Sequence, residues 1–398
     1  MDEGRILLIA GALLAAGFLA SLVAAWLRLP ALVLFLGLGM AIGSDGTGWI
    51  DFSNHEAARF IGTVALALIL FEGGLAAGWH EIRPVLRPAV GLAVIGTVVT
   101  AAATGLAAAS LFGLPLLEGL LLGAVLSSTD GAAVFALVRD ANLPRRLVRT
   151  LEGEAGLNDP LAVLLVLGLV DMITKPAFGA VDVAVLFVEE MAIGAAVGLA
   201  VGWLGVRSMR LARSAPEGLR PVASAMTVAL AFGAADVLNG SGFLAVYLSG
   251  LVLGSAVFPA KRAVLAFHEG LGSVAEIGMF FALGLLVFPS QLGSIAIRGT
   301  VLALVIAFVA RPLGTLLGTA IDDFSYRERI LLGWAGLRGA VPMVLATFPV
   351  IAGIPRSLEF FNIAFFAVLV STLLQGATVD PLARALRVAP ATRPTTGR

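Results

Sequence analysis

The sequence predicts an all-α membrane protein of about thirteen transmembrane helices, built as two inverted six-helix repeats whose fifth and twelfth helices are interrupted and cross near the midplane. Three observations carry that prediction. The 398-residue chain is 59% hydrophobic and only 13% charged, with a mean hydropathy of +1.00. Apolar stretches long enough to span a bilayer recur from end to end. Short motifs return at a shift of about 210 residues. The balance of 26 Lys and Arg against 26 Asp and Glu leaves no net charge, and no basic run points to nucleic acid. Without cysteine there is neither a disulfide framework nor a thiolate metal site, and three scattered histidines make poor zinc ligands. No resident cofactor is expected.

Proline, glycine and charged residues bound apolar segments at 5–27, 30–44, 57–78, 84–111, 115–138, 147–173, 180–206, 221–238, 242–258, 265–287, 297–320, 329–352 and 358–383. These are spans 1 to 13 in chain order. Span 1 resembles a signal peptide in outline, but its apolar run is long and no small-residue cleavage site precedes Arg28, so it reads as a retained helix. With the N-terminus outside, only Arg5, Arg59, Lys175, Arg298 and Arg356 fall on the outer side. Arg311 and Arg338 fall within the membrane, and all other Lys and Arg are cytoplasmic. One missed helix would scramble that bias, so it supports both the count and the orientation.

The repeats order the spans further. Leu38-Gly39-Met40-Ala41-Ile42-Gly43-Ser44 in span 2 returns as Ser249-Gly250-Leu251-Val252-Leu253-Gly254-Ser255 in span 9. Phe71-Glu72-Gly73-Gly74-Leu75 in span 3 matches Phe281-Ala282-Leu283-Gly284-Leu285 in span 10. The start of span 5, from Glu118, matches the start of span 12, from Glu328. Spans 1–6 and 8–13 then form two halves with span 7 between them. An odd offset of seven spans inverts one half relative to the other, which is an alternating-access architecture with its site on interrupted helices.

Spans 5 and 12 each carry a helix-weakening cluster at the centre. In span 5 it is Ser127-Ser128-Thr129-Asp130-Gly131, whose short polar side chains compete with the backbone ladder. In span 12 it is Gly336-Leu337-Arg338-Gly339-Ala340-Val341-Pro342, where Pro342 releases the Arg338 carbonyl. Ordinary glycine packing is the competing reading. Span 6 adds Glu152, Glu154, Asn158, Asp159 and Pro160. A carboxylate at mid-bilayer costs at least about 3 kcal/mol, so it persists only if it faces water, finds a partner or exchanges a proton for a cation. Hard monovalent cations want oxygen ligands, and Asp159, Asp130, Asn158 and Thr129 supply them alongside freed carbonyls. A structural carboxylate neutralised by arginine is the alternative for Asp159. Counted from their cytoplasmic ends, Glu154 and Arg338 lie at similar depth, which predicts that they pair and leave Asp159 to titrate. Glu72, late in span 3, reads as an access or gate residue or as an interfacial, snorkelling one. Glu276 and Arg311 are candidates for a pair, Glu189 and Glu190 have no assigned role, and Asp45 and Asp51 read as solvated loop residues.

With these residues in view, Thr129-Asp130, Glu154 followed by Asn158-Asp159, and Gly336 through Val341 resemble the bacterial cation/proton antiporters of the NhaP type, within the sodium/proton exchanger family. The likeness runs from span 1 to span 13. Ser127 through Phe135, Gly240 through Tyr247 and Gly336 through Ala346 look most like the potassium/proton antiporter branch. The resemblance implies a homodimer in the bilayer of the cytoplasmic (inner) membrane, with the C-terminus cytoplasmic. It implies a core domain at about 84–173 and 297–383 and a dimerisation domain at about 5–78 and 180–287, within a transporter unit at 1–387. It further implies that Asp159 binds cation and proton in competition, that Asn158 and Asp130 support it, and that Glu154 and Arg338 form a structural pair. An Asn-Asp pair is associated with electroneutral one-for-one exchange.

Two departures bear on the cation and on control. Ala155 stands where many relatives have Ser, which removes one oxygen ligand and favours a larger ion. Only a short tail at 388–398 follows span 13, with no regulatory domain expected there. The resulting expectation is a secondary transporter, not an enzyme, exchanging K⁺, with Na⁺ as an additional or alternative cation, for H⁺. A cation channel and an intramembrane aspartyl protease on Asp130 and Asp159 are the remote alternatives.

Overall fold

The computed structural model describes residues 3–27, 31–131, 143–211, 216 and 218–388. Apolar residues with few backbone competitors build helices throughout: α1 Glu3–Leu27, α2 Ala31–Ile42, α3 His55–Ala77, α4 Trp79–Phe112, α5 Leu116–Val125, α6 Arg145–Thr174 and α7 Ala180–Leu211. They continue with α8 Leu219–Val237, α9 Gly242–Ser255, α10 Lys261–Leu285, α11 Pro289–Gly318, α12 Tyr326–Trp334, α13 Ala340–Ile351 and α14 Ser357–Ala385. Among the described residues seven of these helices are long and apolar enough to cross a membrane. Shorter apolar helices lie at Gly11–Ala24 and in α2, α5, α9 and α13.

Several boundaries differ from the expected spans for local reasons. Span 4 starts earlier, at a short helical turn from Trp79, and Pro84 falls in the 3₁₀ turn Arg83–Val85 that joins this turn to the rest of α4. Span 11 starts at Pro289, a favourable first helical residue. There the Ser290 amide donates to Asp45 Oδ2 at 2.7 Å. Asp45 is therefore a bonded loop residue rather than a merely solvated one, and the bond holds its carboxyl below the usual range. Span 12 divides into α12 and α13, and residues 132–138 of span 5 lie outside the described residues. Helices α4, α11 and α14 each contain one π-helical stretch, at Leu92–Gly96, Ile306–Ala310 and Ser371–Gly376.

Packing sorts the helices into two groups. Helix α3 packs on α9 and α10, α10 on α2, and α7 on α8 and α9. In the other group α4 packs on α5, α6 and α11, α11 on α12 and α14, and α13 on α14. Helices α3 and α13, together with α6 and α9, connect the groups and enclose the polar centre. Glycines set the closest approaches. A Cβ at Gly39 of α2 would strike the Phe281 carbonyl and Gly284 of α10, and one at Gly250 of α9 would strike the Phe71 carbonyl of α3. Helices α4 and α11 run antiparallel, with Gly91 against Gly318 and Gly96 against Gly314.

Backbone cannot yield as a side-chain tip can, so Gly39→Ala should destabilise the protein by about 1–3 kcal/mol. Gly37, two residues away, meets nothing within 4 Å; Gly37→Ala should be neutral or slightly stabilising through helix propensity. Thermal unfolding of both variants in detergent checks the contrast.

Candidate functional site

The polar centre forms where two helices stop mid-course. Helix α5 ends at Val125 and Ser127–Asp130 leaves the helical path, with the Ser127 hydroxyl donating to the Ala124 carbonyl at 2.8 Å. Helix α12 ends at Trp334, and the chain runs through Ala335–Gly339 before α13 begins. The two breaks meet directly. The Asp130 amide donates to the Leu337 carbonyl at 2.8 Å, and the Ala340 amide donates to Asp130 Oδ2 at 3.3 Å. Asp130 thereby caps the N-terminus of α13 from another segment, where an anion is favoured. Gly339 permits this, because a Cβ there would overlap the Asp130 carboxylate.

Helix α6 brings Asn158 and Asp159 to the same breaks. The Ser128 hydroxyl donates to Asp159 Oδ1 at 2.5 Å, and the Asn158 amide donates to Thr129 Oγ1. All four residues are buried, and Asn158 Oδ1 has no hydrogen-bond partner among the described residues. Pro160 sits inside α6, so the Gly156 carbonyl lacks its helical amide donor less than a turn away. The arrangement gathers a carboxylate, two hydroxyls, an amide oxygen and a released carbonyl, a set of hard oxygen atoms suited to a monovalent cation.

The expected Glu154–Arg338 pair is not formed. Glu154 is held bidentately by Arg311 of α11, Nη1 to Oε1 at 2.6 Å and Nη2 to Oε2 at 2.8 Å, with both side chains buried. Gly336 makes room for this, since a Cβ there would strike the Arg311 guanidinium. Arg338 instead turns back on its own break. Its Nη1 donates to the Gly336 carbonyl at 3.0 Å, while Nε and Nη2 find no partner among the described residues. Similar depth does not make two side chains bond: Arg338 stays within electrostatic reach of the Glu154–Arg311 pair, but Arg311 takes both Glu154 oxygens. Arg311 is accordingly not a partner of Glu276.

Sequence reasoning also missed the supports of the second break. In α14 the Ser371 hydroxyl accepts from the Arg338 amide at 2.9 Å and donates to Gln375 Oε1 at 2.7 Å. Gln375 Nε2 donates to the Trp334 carbonyl at 3.0 Å. Thr372 Oγ1 donates to the Arg338 carbonyl at 3.3 Å. These bonds satisfy backbone groups that α12 and the break leave open. The one available signal was a Ser-Thr pair and a Gln inside an otherwise apolar span. Glu72 is electrostatically coupled through its carboxylate to Glu276 of α10. It lies in α3 against Gly272 of α10, where a Cβ would meet its carboxylate.

A family model for the transmembrane part of the sodium/hydrogen exchangers matches residues 11–385. The chain belongs to the sodium/hydrogen exchanger family. It is a multi-pass membrane protein. This exchanger is 41% identical over 388 residues to the K(+)/H(+) antiporter NhaP of Alkalimonas amylolytica, an alignment covering 96% of this chain and 67% of the relative. It is 41% identical over 386 residues to the K(+)/H(+) antiporter NhaP2 of Shewanella sp. strain MR-4, covering 95% of this chain and 66% of the relative. The exchanger therefore spans about two thirds of the length of these curated relatives. Its fold matches that of the sodium proton antiporter MjNhaP1 from Methanocaldococcus jannaschii with a TM-score of 0.83 at 24% identity, covering 97% and 99% of the two chains.

If Arg311 is the partner of Glu154, losing either side chain strands a buried charge and should cost about 3–5 kcal/mol. Glu154→Gln with Arg311→Met should recover much of the loss, whereas Glu154→Gln with Arg338→Met should be closer to additive. Unfolding free energies of the two double-mutant cycles check the assignment.

Proposed function

We propose that the chain is a secondary antiporter that exchanges K⁺ for H⁺ by competition at Asp159, one for one and without net charge movement. One observation carries the reading. Asp159 is buried, 3% exposed, and the partner recorded for it is the neutral Ser128 hydroxyl, while Arg311 is committed to Glu154 and Arg338 to a backbone carbonyl. Such a carboxylate is neutralised by a proton or by a cation entering its oxygen shell. Asn158, Thr129 and Ser128 complete that shell. Asp130 shapes it by holding the α13 N-terminus, and Glu154–Arg311 serves as the structural ion pair.

Potassium is favoured by two considerations. The two relatives, each 41% identical to this chain over the aligned residues, are K⁺/H⁺ antiporters. Ala155, fully buried beside Glu154, brings no hydroxyl to the site, which suits a larger and less demanding ion than Na⁺. Sodium-selective exchange is the second reading, supported by the fold shared with a sodium proton antiporter.

The architecture we infer is two inverted six-helix halves with α7 between them, thirteen crossings in all, with α12 and α13 as one broken span. The glycine contacts support it: the matched motifs pair crosswise, Gly39 with Gly284 and Gly250 with Gly74, as a two-fold relation between halves requires. The packing supports a core group of α4–α6 and α11–α14 and a second group of α1–α3 and α7–α10. Helix α7, the least buried of the long helices, offers a face for a second copy in a homodimer. The end carrying Arg83, Arg87, Arg145, Arg146 and Arg149 is placed in the cytoplasm by the charge bias.

Asp159→Asn should abolish cation-dependent proton movement in proteoliposomes loaded with K⁺ or Na⁺, while the protein still folds. Persisting exchange would remove the proposed role. Ser128→Ala should raise the half-saturating K⁺ concentration about tenfold or more and leave exchange measurable, consistent with loss of one hydrogen bond to a charged group worth about 1.5–3 kcal/mol.

A further inference from the structure

A cavity of about 680 Å³ opens between the two helix groups at the end of the bundle where Arg59 lies. Arg59, Thr63 and Ala67 of α3, Val163 of α6, Phe243 of α9 and Phe348 of α13 line it. On α6 its inner wall is Val163, one turn outward of Asp159 on the same helical face. Gly156 belongs to that face too, one turn before Asp159 on the other side. The ring of Tyr247 from α9 fills the notch left by Gly156, where a Cβ would run into its Cε2 and Cζ. Tyr247 is 1% exposed and stands one turn along α9 from the cavity residue Phe243. Ala77, Ile82 and Leu251 are buried with it, and Leu86 and Leu157 pack against them. Asp159 thus lies between the cavity, one turn away along α6, and an apolar cluster centred on one aromatic ring.

The Tyr247 hydroxyl is buried and has no hydrogen-bond partner among the described residues. An aromatic ring that buries its polar tip unpaired gives up part of the stabilisation its packing provides. That cost favours a contact that can be left, in contrast to the backbone-tight Gly74–Gly250 approach next to it. We infer that Tyr247 seated in the Gly156 notch is the gate that closes Asp159 off from the end of the bundle carrying Arg83 and Arg149, and that access from that end requires the ring to leave the notch. The inference rests on the antiport reading for its purpose, but the geometry it describes is read without any transport.

The chain has no cysteine, so single reporters are clean. Thr63→Cys reports the cavity and Leu251→Cys reports the seal. Labelling by a charged maleimide is followed on purified protein in detergent, where both ends are reachable. In the parent background Thr63→Cys should label at least tenfold faster than Leu251→Cys. Adding Tyr247→Ala should speed labelling of Leu251→Cys about tenfold with the Thr63→Cys rate unchanged. Adding Gly156→Ala, which crowds the ring out of its notch, should speed Leu251→Cys and slow Thr63→Cys. Tyr247→Phe keeps the ring and should leave Leu251→Cys protected. Unchanged protection of Leu251→Cys in Tyr247→Ala protein that remains monodisperse would overturn the gate, whether or not Gly156→Ala folds. Absent exchange in the parent proteoliposomes would instead overturn the antiport reading and leave the labelling result standing.

Discussion

The hydrogen bond from the Asp130 amide to the Leu337 carbonyl joins two stretches of chain that have each given up their helix. Helices broken away from water expose backbone groups that must be satisfied within the protein. Here each break helps to satisfy the other. Asp130 uses its carboxylate to cap α13, and Ser371, Thr372 and Gln375 of α14 take up groups around Arg338 and Trp334. Placing Ser128 and Thr129 opposite α6 is a consequence of that junction, and so are the bonds to Asp159 and Asn158. The polar site exists because the breaks meet.

Charge is distributed with the same economy. A buried ion pair adds little stability by itself, but a stranded buried charge is expensive. Glu154 and Arg311 neutralise each other through two parallel bonds, and they do so five residues along α6 from Asp159. Had Glu154 no such partner, two carboxylates on one helix would compete for whatever cation entered. Arg338, kept on the Gly336 carbonyl, does not reach Asp159 in any recorded bond. The functional carboxylate is bonded to a neutral hydroxyl, and the nearby Asp130 carboxylate is held at the α13 N-terminus, so either a proton or a cation can be accommodated at Asp159 itself.

Much of this was legible in the amino acids. Runs of apolar residues marked the helices, and Ser127–Gly131 and Gly336–Pro342 marked the two breaks, because short polar side chains, glycine and proline weaken a helix for local reasons. Asp159 and Asn158 stood out as polar residues where polarity is costly. Direction was harder to read than depth. In a broken segment the 100° spacing of a helix no longer applies, so Thr129 was identified while Ser128, which bonds Asp159, was not. Arg311 was hidden for a related reason. The π-helical stretch at Ile306–Ala310 directly precedes it and resets the facing of the residues that follow, which no periodicity in the sequence announces.

The central claim is that one carboxylate serves cation and proton in turn. The measurement that tests it most directly is the half-saturating K⁺ concentration for exchange as a function of pH in proteoliposomes. If a single proton displaces a single cation at Asp159, that concentration rises about tenfold per unit of pH on the acid side, and saturating K⁺ restores the full rate. A rise of about a hundredfold per unit would mean two coupled protons. A pH-independent half-saturation with a falling maximal rate would mean that protons act elsewhere, and either result would contradict the account.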